Sequence, residues 1–440
     1  MRSFSILLIA SLIGHANIDA QTVSKRLQSA WTQFEKDSQL ASSMASLYVI
    51  DAKTGKVVFD KNSTVGLAPA STQKVITSAT AYELLGKDFR YVTRIGYDIG
   101  ISNQELLGNL YFEGQGDPTL GSFRWNETKE AAVFKKIDEV LKKNNIGRIR
   151  GDIWIDDMQF GVNPVPDGWI WQDIGNYYGA GAWGFNWQEN QYDLTLQPFS
   201  EGALTEVKNF PLLGEYMLGN FISTGRKGSG DNGCIYFAPY SKTGFATGTI
   251  PEGVKDFTIS GSIPQPARQF GLSLASYLSN QNISFSKQVK IYSDSAFQRK
   301  PIRKMMLLLD SISSPSFDSI NYWFLKKSIN LYGEALLKTF SHKKFYQGNT
   351  EEGTKIVKEF WKNKGIAATE LNMVDGSGLS PLNRVTTHAQ VTILQYARKQ
   401  DWFPGYFYAF PEYNGMKMKS GTINNVKGFC GYHTSKDGHQ

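Results

Sequence analysis

Cysteine, histidine and long apolar runs are all scarce in this 440-residue chain. Two cysteines, Cys234 and Cys430, exclude a disulfide-stapled scaffold, and the sequence leaves open whether they pair or stand as separate thiols. The five histidines (His15, His342, His388, His433 and His439) have no ligand-like spacing with one another or with cysteine, so a zinc site is not expected. No stretch, the N-terminal one included, reaches the roughly 20 apolar residues that a membrane span needs. Lys and Arg are scattered rather than clustered, so the net charge of +7 does not point to a nucleic-acid partner. Repeats and low-complexity tracts are absent as well, which sets aside arrays and solenoids.

What is present fits a globular protein. Hydrophobic residues make up 41% and aromatics 13%, enough for a large core, and the length suggests two or three domains. The first 20 residues read as an export signal: Arg2 is a short basic region, Phe4 to Ile13 an apolar one, and small residues follow at Ala16 and Ala20. Cleavage is expected before Gln21, which gives a periplasmic or secreted product. Helical spacing runs from Val23 to Ser38, and a β-hairpin is expected from 45–50 and 57–60 around a turn at 51–56. A helix follows from Ser71 to Leu85 behind Pro69. Residues 91–284 have a different texture, with short β-like runs, frequent turn residues and dense aromatics from Trp169 to Trp187. Helical patterns return from Met305 to Phe340, and the tail from Met416 to Thr434 alternates like paired strands around Asn424 and Asn425. The fold class expected is α/β (α+β), one domain formed by 21–90 and 285–440 and split by a β-rich insertion at 91–284 with two small lobes.

Three short motifs carry chemistry. In Ser71-Thr72-Gln73-Lys74 a helical offset of three puts the hydroxyl and the amine on one face. A serine is a weak nucleophile until a neighbouring base takes its proton, and a lysine is such a base once desolvation or another cation lowers its pKa. The same spacing occurs at Ser284–Lys287 and Ser341–Lys344, ahead of basic and polar sequence, whereas Ser71 leads into an apolar helix. The second motif, Ser328-Ile329-Asn330, offers a hydroxyl and an amide to a bound peptide. Ser319-Ile320-Asn321 has the same spelling. The later copy is preferred because Lys327 precedes it and an amphipathic helical pattern follows, although helix capping by Ser or Asn is the ordinary alternative. The third is Lys419-Ser420-Gly421-Thr422 in a strand-like segment, where Gly421 allows a close backbone approach. Literal Lys-Thr-Gly strings at 53–55 and 242–244 lie in a turn and in the insertion, both before the second motif.

The order of these motifs belongs to penicillin-binding proteins and serine β-lactamases. With Gly114-Gln115-Gly116-Asp117-Pro118-Thr119-Leu120, Asp375-Gly376-Ser377-Gly378-Leu379-Ser380 and the large insertion, the chain resembles the class C low-molecular-mass penicillin-binding proteins, the D-alanyl-D-alanine carboxypeptidase/endopeptidase family. The resemblance implies a transpeptidase-like domain, peptidoglycan stem peptides as substrates, β-lactams as covalent inhibitors, and no metal or organic cofactor. It gives Ser71 the role of nucleophile, Lys74 that of base, and Ser328 that of proton relay with Lys419 nearby. Asn330 holds the peptide, Ser420 binds its carboxylate, and Gly421 and Thr422 complete the substrate strand. The amides of Ser71 and Thr422 form the oxyanion hole. Asp173 and Tyr178 match an acid and an aromatic that meet the substrate's side chain in some relatives. Those relatives place an Arg directly after the Asp-Gly-Ser-Gly-Leu-Ser run, where this chain has Pro381, with Arg384 as the substitute. Relatives also continue past the last hairpin with a central strand and a packing helix, so two further elements are expected beyond Gln440. A catalytically impaired peptidoglycan or β-lactam binder of the same fold is the alternative reading, and a β-lactamase fits less well because β-lactamases lack the insertion.

Overall fold

The computed structural model describes residues 23–286, 288–435 and 438, so the expected leader lies outside them, as does Lys287 of the second Ser-x-x-Lys string. A first helix, α1 (23–34), precedes a hairpin of β1 (Leu47–Ile50) and β2 (Val57–Lys61). The hairpin turn explains the first Lys-Thr-Gly string: the Asp51 carboxylate accepts from the Thr54 amide and hydroxyl, and Gly55 takes φ 75°. A single 3-10 turn, Ala70–Gln73, then feeds α2 (Lys74–Leu84).

The middle of the chain builds two separate cores. The first surrounds a five-stranded sheet containing β3 (Val92–Tyr97), β4 (Leu110–Glu113) and β5 (Ile153–Asp156). Two helices, α3 (Glu130–Lys143) and α5 (Pro266–Asn280), bury Val133, Ile137, Phe270 and Leu274 in this core. Between these helices a short helix, α4 (Trp171–Ile174), leads to the second core, made by two three-stranded sheets. One orders β7 (Glu206–Asn209), β6 (Gln191–Gln197) and β11 (Phe257–Ser262). The other orders β8 (Met217–Gly225), β10 (Thr243–Pro251) and β9 (Cys234–Tyr236). Leu194, Leu196, Ile222, Ile235 and Ala246 fill the space between them.

The large sheet closes with two later strands, β12 (Val289–Ile291), parallel to β5, and β13 (Leu307–Ser313), antiparallel to β3. The boundary expected at 284 therefore falls short: the inserted sheet runs to Ser313. The helix expected from Met305 is corrected by the same pairing. The apolar run Met305–Leu309 suits a helix or a buried strand equally, and its flanking partner β3 decides for the strand.

A short helix, Tyr292–Phe297, follows β12, and after β13 come α6 (Phe317–Lys326), α7 (Asn330–Phe345), α8 (Thr350–Asn363), α9 (Thr387–Ala397) and α10 (Phe403–Tyr408). Helices α6 to α10 pack with α2 around Ile76, Phe324, Leu336, Trp361 and Ile393. The α7 helix, expected to be amphipathic, is buried on all sides from Leu331 to Ser341. A helix in that position is enclosed by both the inserted region and the helical domain. The chain's last hairpin, β14 (Met416–Ile423) with β15 (Val426–Tyr432), lies against the 3-10 turn that carries Ser71. Among the described residues, no helix is long and apolar enough to cross a membrane.

Candidate active site

The site forms where the 3-10 turn, the start of α7 and strand β14 meet. Ala70 enters the turn with φ 46°, a left-handed backbone that a non-glycine residue adopts only when its surroundings hold it there. Here the holding contact is tight, since a Cβ on Gly378 would stand 1.9 Å from the Ala70 carbonyl oxygen. The distortion presents Ser71 half-buried at the surface of the site while Lys74, one turn on, is fully buried.

The Lys74 Nζ lies 2.9 Å from Ser71 Oγ, 2.6 Å from Asn330 Oδ1 and 2.7 Å from the Ser377 carbonyl oxygen. This geometry decides what the amine does when neutral. Asn330 and Ser377 offer only acceptors at those atoms, so they hold the two remaining N–H bonds and leave the lone pair aimed at the Ser71 hydroxyl. Burial and the cation of Lys419 hold Lys74 well below the ordinary lysine range, with Asp375 and Glu334 pulling the other way. Burial likewise brings Lys419 down to about 8, helped by Lys427 and opposed by Cys430.

Ser328 and Asn330 are not a helix cap. The capping position of α7 is Ile329, which has no side-chain hydrogen bond. The Asn330 side chain instead bridges two parts of the protein, accepting from Lys74 and donating from Nδ2 to the Tyr178 carbonyl oxygen at 2.7 Å. Ser328 sits in the left-handed region at φ 60°, half-buried, and its hydroxyl makes no hydrogen bond among the described residues. The competing copy serves the core instead. Asn321, fully buried in α6, accepts from Ser78 and donates to Tyr82, and Ser319 accepts from Trp125 Nε1.

Strand β14 places its residues on alternate faces. Lys419 and Gly421 face the nucleophile turn. A Cβ at 421 would lie 2.8 Å from both the Ser71 and the Thr72 amide nitrogens and 2.6 Å from the Pro69 carbonyl oxygen, so only glycine allows the strand this close. Lys419 donates to the Ser420 carbonyl oxygen at 2.7 Å. Ser420 and Thr422 point the other way, to the Tyr413 hydroxyl and Lys427. A short strand, Glu412–Tyr413, pairs only with Met416 and Lys417, so the edge from Lys419 to Thr422 has no strand beside it among the described residues. The literal string at 242–244 lies at the start of β10, with Lys242 paired to Glu215 on the surface.

Sequence reasoning about this site passed over an acidic support. Asp375, fully buried, accepts from Gln73, Gly378, Ser380, Asn383 and Trp169. Glu334, also fully buried, accepts from the Gly376 and Ser377 amides and so fixes the carbonyl that holds Lys74. Burial and Asp375 raise Glu334 to about 8, while Ser377, Gly376 and Lys74 oppose the rise. The offset of four between Asn330 and Glu334 puts them on one helix face but does not reveal the amides that Glu334 accepts from.

Asp173 and Tyr178 sit on the same short segment of the insertion. Burial pushes the Asp173 carboxyl up and the neighbouring Tyr178 hydroxyl pulls it back. Arg384 donates to the Pro381 and Asn383 carbonyls of its own loop. Both cysteines are free thiols; Cys430 is buried against the Thr72 carbonyl and Cys234 donates to Gln172. Among the described residues no group of His, Cys, Asp and Glu is placed to hold a metal ion.

Residues 27–412 match the D-Ala-D-Ala carboxypeptidase 3 (S13) family. The D-alanyl-D-alanine carboxypeptidase of Actinomadura is 26% identical over 375 residues, 83% of this chain and 67% of that one. The crystal structure of penicillin binding protein 4 from Haemophilus influenzae has a TM-score of 0.75 at 22% identity, over 89% of this chain and 87% of that one. The same protein complexed with a novel β-lactam gives 0.69 at 20% identity over the same shares. These structural likenesses speak for the fold.

Proposed function

Because the chain belongs to the D-Ala-D-Ala carboxypeptidase 3 (S13) family, and is thereby a serine-type D-Ala-D-Ala carboxypeptidase, we propose that Ser71 and Lys74 carry the reaction. The observation that carries this reading is the set of three contacts made by Lys74 Nζ, to Ser71, Asn330 and Ser377.

The free edge of β14 from Lys419 to Thr422 receives the substrate as an added strand. Neutral Lys74 takes the Ser71 proton as Oγ attacks the carbonyl carbon of the penultimate D-alanine. The Ser71 and Thr422 amides stabilise the oxyanion, a contribution of about 3–4 kcal/mol for one donor. The tetrahedral adduct collapses, the C–N bond breaks, and the proton passes from Lys74 through the Ser328 hydroxyl to the leaving amine. Water then attacks the ester, with Lys74 again taking a proton, and the shortened peptide leaves with Ser71 restored. Lys419 supplies positive charge for the terminal carboxylate, and Ser420 is the second group we assign to it. We assign Asp173 and Tyr178 to the substrate's own side chain, a reading supported by the hydrogen bond from Asn330 to the Tyr178 carbonyl.

A β-lactam presents a strained amide in place of the D-Ala-D-Ala bond, so Ser71 should be acylated by it, and the β-lactam complex of the Haemophilus protein supports β-lactam binding here as well. Peptidoglycan stem peptides are the substrates, and the expected leader places the mature enzyme in the periplasm or outside the cell. Cutting of cross-links is the second activity that the same attack allows. The test is release of D-alanine from a pentapeptide ending in D-Ala-D-Ala: Ser71→Ala should lose it by about a thousandfold or more. Retention of activity within about tenfold contradicts the assignment.

A further inference from the structure

The second lobe of the insertion turns an apolar face to solvent. Along β8, β9 and β10, Ile222, Ile235, Ala246 and Ile250 point into the lobe's core. The alternate positions point out, where a sheet with one wet face ordinarily carries polar side chains. Here they include Met217, Phe221 and Phe245, which are 65%, 62% and 39% exposed. Tyr236 and Phe245 are opposite each other, and their rings stack with centroids 4.9 Å apart. Tyr236 also meets Trp171 at 5.7 Å. Gly219, opposite Phe245, leaves room for Phe221 to lie back across it, since a Cβ there would be 3.0 Å from the Phe221 ring and 3.7 Å from Phe245 Cβ. Phe221, Phe245, Tyr236 and Trp171 therefore form one row. No outward position of the three strands is charged, and Thr243 and Thr247 flank the row with hydroxyls.

The row is joined rigidly to the catalytic site. A Cβ on Gly175 would stand 2.1 Å from the Ile235 carbonyl oxygen, and Asn176 Oδ1 accepts from the Ile235 amide at 3.0 Å. Those contacts fasten the segment bearing Trp171 to β9. Two residues on, the Tyr178 carbonyl accepts from Asn330, which itself holds Lys74. An exposed apolar patch marks a binding surface, and this one is tied through the Trp171–Tyr178 segment to Asn330 of the site that takes the stem peptide.

We propose that this aromatic row binds the glycan strand of peptidoglycan while the attached stem peptide occupies the Ser71 site. The inference rests on the carboxypeptidase reading above. Two features select a carbohydrate. Phe221, laid back over Gly219 and 62% exposed, and Trp171, 48% exposed, offer ring surface to the C–H faces of pyranose rings, with hydroxyls beside them for the sugar's polar groups. The uncharged row also suits a polymer of neutral N-acetylated sugars, which is what a stem peptide in this cleft is attached to.

The test uses the full chain, a neutral N-acetylglucosamine oligosaccharide as the bare glycan, a free pentapeptide and the same pentapeptide on a peptidoglycan oligosaccharide. Wild type should bind the bare glycan. Phe221→Thr combined with Phe245→Thr should weaken that binding about tenfold and raise KM for the glycan-linked peptide by a similar factor. The free pentapeptide should be hydrolysed as before, and Phe245→Tyr alone should keep glycan affinity. No binding of bare glycan by wild type, equal binding by the double variant, or equal loss on both substrates would overturn the proposal, as would affinity for lipid vesicles without affinity for glycan. If wild type releases D-alanine from neither substrate, the carboxypeptidase reading fails, while the bare-glycan measurement still decides the platform.

Discussion

At the residue scale, the chemistry reduces to where one lone pair points. Lys74 has two acceptors that take its N–H bonds and one hydroxyl left over, so its protonation state decides whether Ser71 is activated. The rate of acylation should rise with pH through the depressed Lys74 pKa, because only the neutral amine is a base. Lys419 repels the protonated form of Lys74, so Lys419→Met should raise the Lys74 pKa and move this limb to higher pH. Lys419 itself loses its charge above about pH 8, and binding of carboxylate-terminated peptides should fall there. A pH profile of penicillin acylation for wild type and variant checks both directions. Gly421 gives a steric prediction. Its Cβ would lie 2.8 Å from the Ser71 amide nitrogen, so Gly421→Ala should push β14 off the nucleophile turn. A loss of stability of about 1–3 kcal/mol by chemical denaturation should accompany loss of acylation.

At the scale of elements, α7 gathers most of the support on one helix face: Asn330 on Lys74, Glu334 on the Gly376 and Ser377 amides, and Lys338 on the insertion. Glu334→Ala would leave two buried amides without an acceptor, at about 2–5 kcal/mol together, and would free the Ser377 carbonyl from its place on Lys74. The variant should unfold at lower denaturant and acylate more slowly. These elements were unevenly legible in the sequence. The hairpin, the helix behind Pro69 and the tail strands have local signals in turn residues and periodicity, and the motif order separated Ser71 from its decoys. Glu334 was invisible as a site residue because its partners are backbone amides some 40 positions away, which no local pattern encodes. The all-round burial of α7 and the strand at Leu307–Ser313 escaped for the same reason, since both depend on partners distant in sequence.

At the scale of the whole molecule, the insertion and the helical domain are held together through buried polar contacts. Lys338 is nearly fully buried and donates to the Asn163 and Ala182 carbonyls at 2.7 and 2.8 Å. Glu189 accepts from Ser122 and Arg124 within the insertion and from Tyr332 of α7. Burial lowers Lys338 to about 7, with Glu334 opposing. The unfolded chain keeps its proton until about pH 10, so between these values it binds more protons than the folded one, and stability due to this group rises with pH. Relative to Lys338→Met, wild type should therefore gain stability from about pH 7 to 10 in denaturant titrations. The sequence conveyed the presence of an inserted region but not its far edge, because β12 and β13 join the sheet from beyond a long helix. The most direct test of the account is the mass of the protein after exposure to penicillin, followed by peptide mapping. One adduct should form, on the peptide carrying Ser71, and Ser71→Ala should acquire none; an adduct on any other residue, or an undiminished one in the variant, would contradict it.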